Sequence, residues 1–238
     1  MPLISIAIET SCAQGGAAMG RDDRLERSID FDASSRHATT LVGHLRSLLT
    51  EAGLRPADLG ELYVSVGPGS FTGVRVGVTV ARTLAQAVPS LRCVAVPTPL
   101  VVAHRAAAME WRHLAVILDA RQGDIHASLF VRRGQDIVPA AQPLLATPQE
   151  FLASSPRPLL LTGEGLGYHS MSGDGVAMVD PSLRLPTADW VWRVGRNMAR
   201  TGQFSDYHRI LPVYARSPHV TFPGKAPTAG EQVSDANP

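Results

Sequence analysis

Gly67, Gly69 and Gly73 lie between a short apolar run, Leu62–Val66, and a long helical pattern, Phe71–Ala87. Glycines placed this way often cradle phosphate, because backbone N–H groups and a helix N-terminus converge on the anion. A Walker A loop, however, needs a lysine directly after its last glycine to reach the terminal phosphates. Here Val74-Arg75 follow Gly73. A dinucleotide loop needs an acid about 20 residues further on for the ribose hydroxyls. No Asp or Glu occurs between Glu61 and Glu110, which leaves only an NADP variant relying on Arg92. The helix itself offers a third use. Gly73, Gly77, Ala81 and Ala85 recur every four residues as a stripe without side-chain bulk. Such a stripe lets another helix approach closely. That helix could belong to a partner or could be the chain's own His37–Ala52 segment, and both hold if the two helices form one joint surface. On the partner reading, Gly77→Leu leaves a folded protein that no longer binds.

Other residues could do chemistry. Glu9-Thr10-Ser11 has the form of a phosphate-binding hairpin. ATPases that grip phosphate this way need a second hairpin with acidic metal anchors, and Asp119-Ala120-Arg121 offers little for that purpose. His37 and His44, seven residues apart, share a helix face, but nothing nearby completes a metal site. Cys12 has no indicated base and reads as a buried small residue. Arg193, Arg196 and Arg200 share a face that could touch RNA, although a solvated face is the commoner use.

These residues need elements to position them. Leu3–Ile8 and the small-residue stretch after Ser11 read as two strands joined by a tight turn, with Arg24–Phe31 a third. Ala38, Leu41, Leu45, Leu48, Leu49 and Ala52 recur at helical spacing, and Gly53 stops that helix. A strand over Arg92–Val96 and a helix near Leu100–Ala108 follow, so a mixed sheet covered by helices is expected. HLAVILDARQGDIHASLF then repeats the plan of SIAIETSCAQGGAAMG: apolar strand, acid, polar turn with glycine, return strand. Pro148–Ser154 and Asp189–Arg200 look helical. The tail from Phe222 lacks apolar periodicity and is expected to be disordered.

Composition narrows the classes. Of 238 residues, 45% are hydrophobic, enough for one large domain or two small ones. A net charge of +1 is not that of a protein that holds RNA alone. Two cysteines fit a reduced compartment. The first residues lack the basic flank of a signal peptide, and no run is long enough for a membrane span, so a soluble, cytoplasmic protein is expected.

The stretch GPGSFTGVRVG, Gly67 to Gly77, resembles the signature of the TsaB (YeaZ) family, which takes part in making threonylcarbamoyladenosine in bacterial tRNA. IAIETS, the Arg36-His37 helix start, LDARQGDIHASLF and LPVYAR support it in the same order, and the likeness runs to about residue 217. Glu9 stands where the family commonly has Asp, and Ala38-Thr39 where an acid often occurs. The resemblance implies an α/β, actin-like ATPase (ASKHA) fold of two related halves, the second reduced. The halves are expected at 1–110 and 111–217, with a tail over 218–238. It also implies a non-catalytic subunit without catalytic residues, cofactor or metal. That subunit pairs with the transferase TsaD through its first-half helices, with the ATPase TsaE joining and tRNA met only within the complex. When the subunit is alone, a second copy of the chain is a further candidate partner. The residues implied for partner binding are His37, Leu41, His44, Gly67, Gly69, Ser70, Phe71, Thr72, Gly73, Arg75, Gly77 and Ala81. The rival readings are a self-standing ATPase, kinase or peptidase-like enzyme of this fold, and a dinucleotide-binding oxidoreductase.

Overall fold

The computed structural model describes residues 2–32 and 37–216, with only the backbone for 37–39. The Arg36 side of the first helix start, the His37 side chain and the tail expected over 218–238 lie outside the described residues.

The apolar run ISIAIE forms β1 (Ile4–Glu9), buried along its whole length because it sits at the middle of a sheet. Its hairpin partner is β2 (Gln14–Arg21), followed by β3 (Arg24–Asp32). Helix α1 (His37–Glu51) leads to β4 (Leu59–Ser65), then α2 (Phe71–Ala87) and β5 (Arg92–Val96). The sheet order is β3-β2-β1-β4-β5, antiparallel for the first three strands and parallel for the rest. Ile6 stands opposite Met19 on one side and Leu62 on the other.

After α3 (Thr98–Arg105) the plan repeats. β6 (His113–Asp119) and β7 (Ile125–Arg133) form the hairpin, β8 (Asp136–Pro139) extends it, and β9 (Leu144–Ala146) also pairs with β7. α4 (Pro148–Ser154), β10 (Leu159–Thr162) and β11 (Val176–Met178) follow. The order β8-β7-β6-β10-β11 reproduces the first sheet, hairpin antiparallel and outer strands parallel. The reduction of this half lies in its cover: α4 has 7 residues against 15 and 17 in α1 and α2.

The last helix departs from the expected division of the chain. α5 (Ala188–Arg200) returns to the first sheet, so the segment 111–217 is not one packed half. On one face of that sheet Ile6, Ile8, Leu62 and Val64 meet Leu41, Leu45, Val74 and Val78 of α1 and α2. On the other, Ala7, Ala18 and Tyr63 meet Val191, Trp192 and Val194 of α5. Val101 of α3 completes the cover of this second face. Trp192 donates its indole N–H to Ser5 Oγ at 2.9 Å. Glu61, 1% exposed, is reached by the Tyr63 hydroxyl, by Arg92 at 2.5 Å and by Arg196 at 3.2 Å. A buried carboxylate is tolerable only with such partners.

Candidate functional site: a cleft between the halves and the outer face of two helices

The glycine turn is held against the end of β1. Ser70 N–H donates to the Ser11 carbonyl at 2.7 Å, and the Ser70 hydroxyl caps α2 by accepting from Gly73 N–H at 3.2 Å. A Cβ on Gly69 would overlap the Ser11 carbonyl, and one on Gly73 the Thr10 carbonyl. One on Gly77 would overlap Thr10 Oγ1. Ala81 and Ala85 are buried on the same face. The stripe therefore lets α2 lie directly on β1 of its own chain. This corrects the expectation that Gly73, Gly77 and Ala81 face a partner: a small face accepts close approach from any neighbour, and here the sheet takes it. Leu41 is fully buried beneath α1, and His44 turns inward to stack on Phe31 with ring centres 5.2 Å apart. Leu41 therefore forms no outer surface, whereas His44 is half-buried, like Val76 and Val80 of α2.

What α1 and α2 expose is different. Val42, Phe71, Thr72, Arg75 and Thr79 are exposed, and Val76 and Val80 are half-buried. Between the helices runs a groove of about 420 Å³ walled by Val42, Leu45, Leu49, Val80 and Leu84. Arg75 lies over the Phe71 ring, 4.5 Å from its centre. Val42, Thr79 and Val80 were not singled out from the sequence. The available signal was their position on the side of the helical period opposite the small residues.

A second cavity, about 590 Å³, opens between the halves. Cys12, Ser70 and Phe71 line it from the first half and Asp119, Arg121 and Glu164 from the second. This is where paired hairpins could grip a phosphate with a metal, and the residues do not fit that task. The Asp119 carboxylate is engaged by His169 Nε2 at 3.0 Å and by Arg121 N–H at 3.1 Å. Arg216 crosses the cavity to the Asp124 carboxylate. Among the described residues no group of three or more His, Cys, Asp or Glu could hold a metal ion. Burial pushes the Cys12 thiol far above its ordinary value, which leaves it protonated and inert as a nucleophile. On the arginine face of α5, Arg196 pairs with Asp23 and Glu61, while the exposed Arg193 and Arg200 each sit 3.9 Å from a carboxylate, Asp189 and Asp23 respectively.

Glu9, fully buried beneath the glycine turn, accepts from Ser11 N–H and, at 2.6 Å, from the Ser11 hydroxyl. Its second oxygen has no hydrogen bond among the described residues, and the nearby Ser65 hydroxyl shares a hydrogen bond of 2.8 Å with Thr98. Burial pushes the carboxyl up from 4.5 to about 7, outweighing the Ser11 hydrogen bonds that favour its ionised form. Between pH 4.5 and about 7 the native state thus binds more protons here than the unfolded chain. Stability contributed by this site falls as pH rises through that window and levels off above it. The loss is on the order of 3 kcal/mol. Glu9→Gln is expected to flatten the profile, read as the variant-minus-wild-type difference in urea-unfolding free energy at pH 5 and pH 8. An unchanged difference between the two pH values would refute this account of Glu9.

Two sheets of matching topology facing each other across a cleft define the actin-like ATPase fold. A family model described as TsaD, tRNA N6-adenosine threonylcarbamoyltransferase, matches residues 31–183, well over half of the sequence. The chain belongs to that family, in its TsaB (YeaZ) branch. It is 27% identical to the tRNA threonylcarbamoyladenosine biosynthesis protein TsaB of Bacillus subtilis (strain 168), over 89% of this chain and 93% of that protein. The solved structure of YeaZ from Pseudomonas aeruginosa aligns with a TM-score of 0.76 and 26% identity, covering 89% of this chain and 99% of that one. Similarity to the tRNA N6-adenosine threonylcarbamoyltransferase of Thermomicrobium roseum is 28%, over 58% of this chain but 36% of the transferase. No helix among the described residues is long and apolar enough to cross a membrane.

Proposed function

We propose that this chain is the non-catalytic subunit of a complex that forms N6-threonylcarbamoyladenosine in tRNA, in the cytoplasm. It holds a TsaD-type transferase against the exposed face of α1 and α2, with a TsaE-type ATPase joining the pair. The observation that carries the reading is the apolar groove between those helices, with a half-exposed Val42 on its wall, and beyond it the exposed ring of Phe71 at the N-terminal end of α2. Side chains of this kind, central in an interface and shielded from water, supply most binding energy in protein complexes. The poor fit of the inter-half cleft to a metal-bound phosphate supports the same conclusion, as does the sequence similarity to the Bacillus subtilis protein.

Co-purification with the TsaD-type transferase of the same cells tests it, followed by reconstitution on tRNA. The pair is expected to form the modified nucleoside, and the isolated chain to show neither threonylcarbamoyl transfer nor sustained ATP hydrolysis. ATP turnover by the isolated chain that survives repurification and disappears in Glu9→Ala would overturn the reading in favour of a self-standing ATPase. If the chain pairs with itself instead of the transferase at equal concentrations, the groove belongs to a homodimer and the scaffold role fails.

A further inference from the structure

Residues 211–216 follow no helix or strand, yet they touch three separate parts of the molecule. Val213 N–H donates to the Val66 carbonyl at 2.7 Å, just beyond β4. The Val213 carbonyl lies over Gly67, which has φ +97° and no side chain to obstruct it. The Tyr214 ring packs on Phe71, 4.8 Å between centres, so Phe71 is in contact with both Tyr214 and Arg75. Two residues on, Arg216 leaves the first half altogether. It donates to Gln122 Oε1 at 2.9 Å and pairs with Asp124, both in the β6–β7 turn. Each of that pair is little more than a quarter exposed, so water screens it less than an ordinary surface contact.

We infer that this segment is a strap joining the second half to the docking end of α2, and that Tyr214 and Arg216 are positioning residues for partner binding. The inference rests on the proposed docking face. Arg216 fixes the end of the strap to the β6–β7 turn, the strap fixes Tyr214, and Tyr214 fixes the exposed ring of Phe71. A ring already ordered before docking loses less freedom when the partner arrives. Coupling of this kind is reciprocal, so a partner that immobilises Phe71 must also steady the β6–β7 turn, which belongs to the other half.

Hydrogen exchange reads the strap in the chain alone. The amides of Arg121 and Asp124 are hydrogen-bonded within the turn. Tyr214→Ala removes a contact made only with the first half, and is expected to speed exchange of those second-half amides several-fold. If it leaves them unchanged, there is no strap coupling. The second arm measures affinity for the TsaD-type transferase. Arg216→Ala is expected to weaken it about tenfold, towards the lower end of the usual coupling range, with the melting temperature of the chain preserved. The charge-exchanged pair Arg216→Asp with Asp124→Arg is expected to restore part of the loss, which a general loss of stability would not allow. Asp124→Asn serves if Arg216→Ala does not fold. Equal affinity of Arg216→Ala and wild type overturns the positioning role. Failure of the wild type to bind the transferase, with the exchange effect of Tyr214→Ala intact, overturns the docking reading and leaves the strap standing.

Discussion

Gly73→Leu is expected to leave no folded protein. The new Cβ would overlap the carbonyl oxygen of Thr10, a backbone atom at the end of the central strand β1. Thr10 is itself buried, and the next residue, Ser11, accepts from Ser70 N–H, so the strand end cannot withdraw without undoing the glycine turn. α2 would have to lift off the sheet, opening the core between Val74, Val78, Ile8 and Leu62. Leucine gains at most about 1 kcal/mol of helix propensity over glycine. Displacing a helix from its core costs about 5 kcal/mol or more, comparable with the whole stability of an average domain. Gly77→Leu should also destabilise, though less, because its nearest obstacle is the Thr10 side chain rather than backbone. Soluble yield and the far-ultraviolet thermal transition measure both. A cooperative Gly73→Leu transition within a few degrees of wild type would show that the helix is not seated as described.

The double substitution Val42→Asp with Val80→Asp should behave in the opposite way, folded but without its partner. Val42 is 52% exposed on α1, and Val80 lines the other wall of the same groove from α2. Val42 lies outside the core, and Val80, half-buried, packs only against the edge of the layer formed by Leu41, Leu45, Val74 and Val78, so the monomer keeps its core at a modest cost in stability. In a docked complex two carboxylates would be taken out of water opposite an apolar surface with no cation to receive them. Central apolar contacts are commonly worth about 2 kcal/mol each, and uncompensated buried charge adds to the loss. The expected total is at least about 4 kcal/mol, roughly a thousandfold in Kd. Titration calorimetry against the TsaD-type transferase, with a melting curve of the variant alone, measures both halves of the claim. Normal affinity in a folded variant would move the docking face away from this groove.

Much of the framework was legible in local sequence. The small and β-branched residues of Phe71–Ala87 keep one helical period from end to end, and that helix stands with the expected bounds. Arg92–Val96 is a strand as read. The second hairpin was recognisable because an apolar run, an acid, a glycine turn and a return run recur in one order, and the two sheets share their topology for that reason. The GPGSFTGVRVG stretch pointed to the TsaB (YeaZ) family, where the comparisons also place the chain.

Tertiary structure decided what those elements face. Periodicity shows that Gly73, Gly77 and Ala81 share one side of α2, but a strand end and a partner helix can fill a smooth surface equally well. Only the position of Thr10 beneath them settles that the sheet does so. The exposed groove could be found only after the buried side had been assigned. Likewise, no local signal brings Trp192 to Ser5 across 187 residues, or Arg216 to Asp124 across 92. These contacts depend on which face of the first sheet remained uncovered and on where the chain had to cross between halves. Side-chain pattern fixes the elements because it acts within a few turns of backbone. Burial of the remaining apolar surface, a property of the assembled chain, chooses their neighbours.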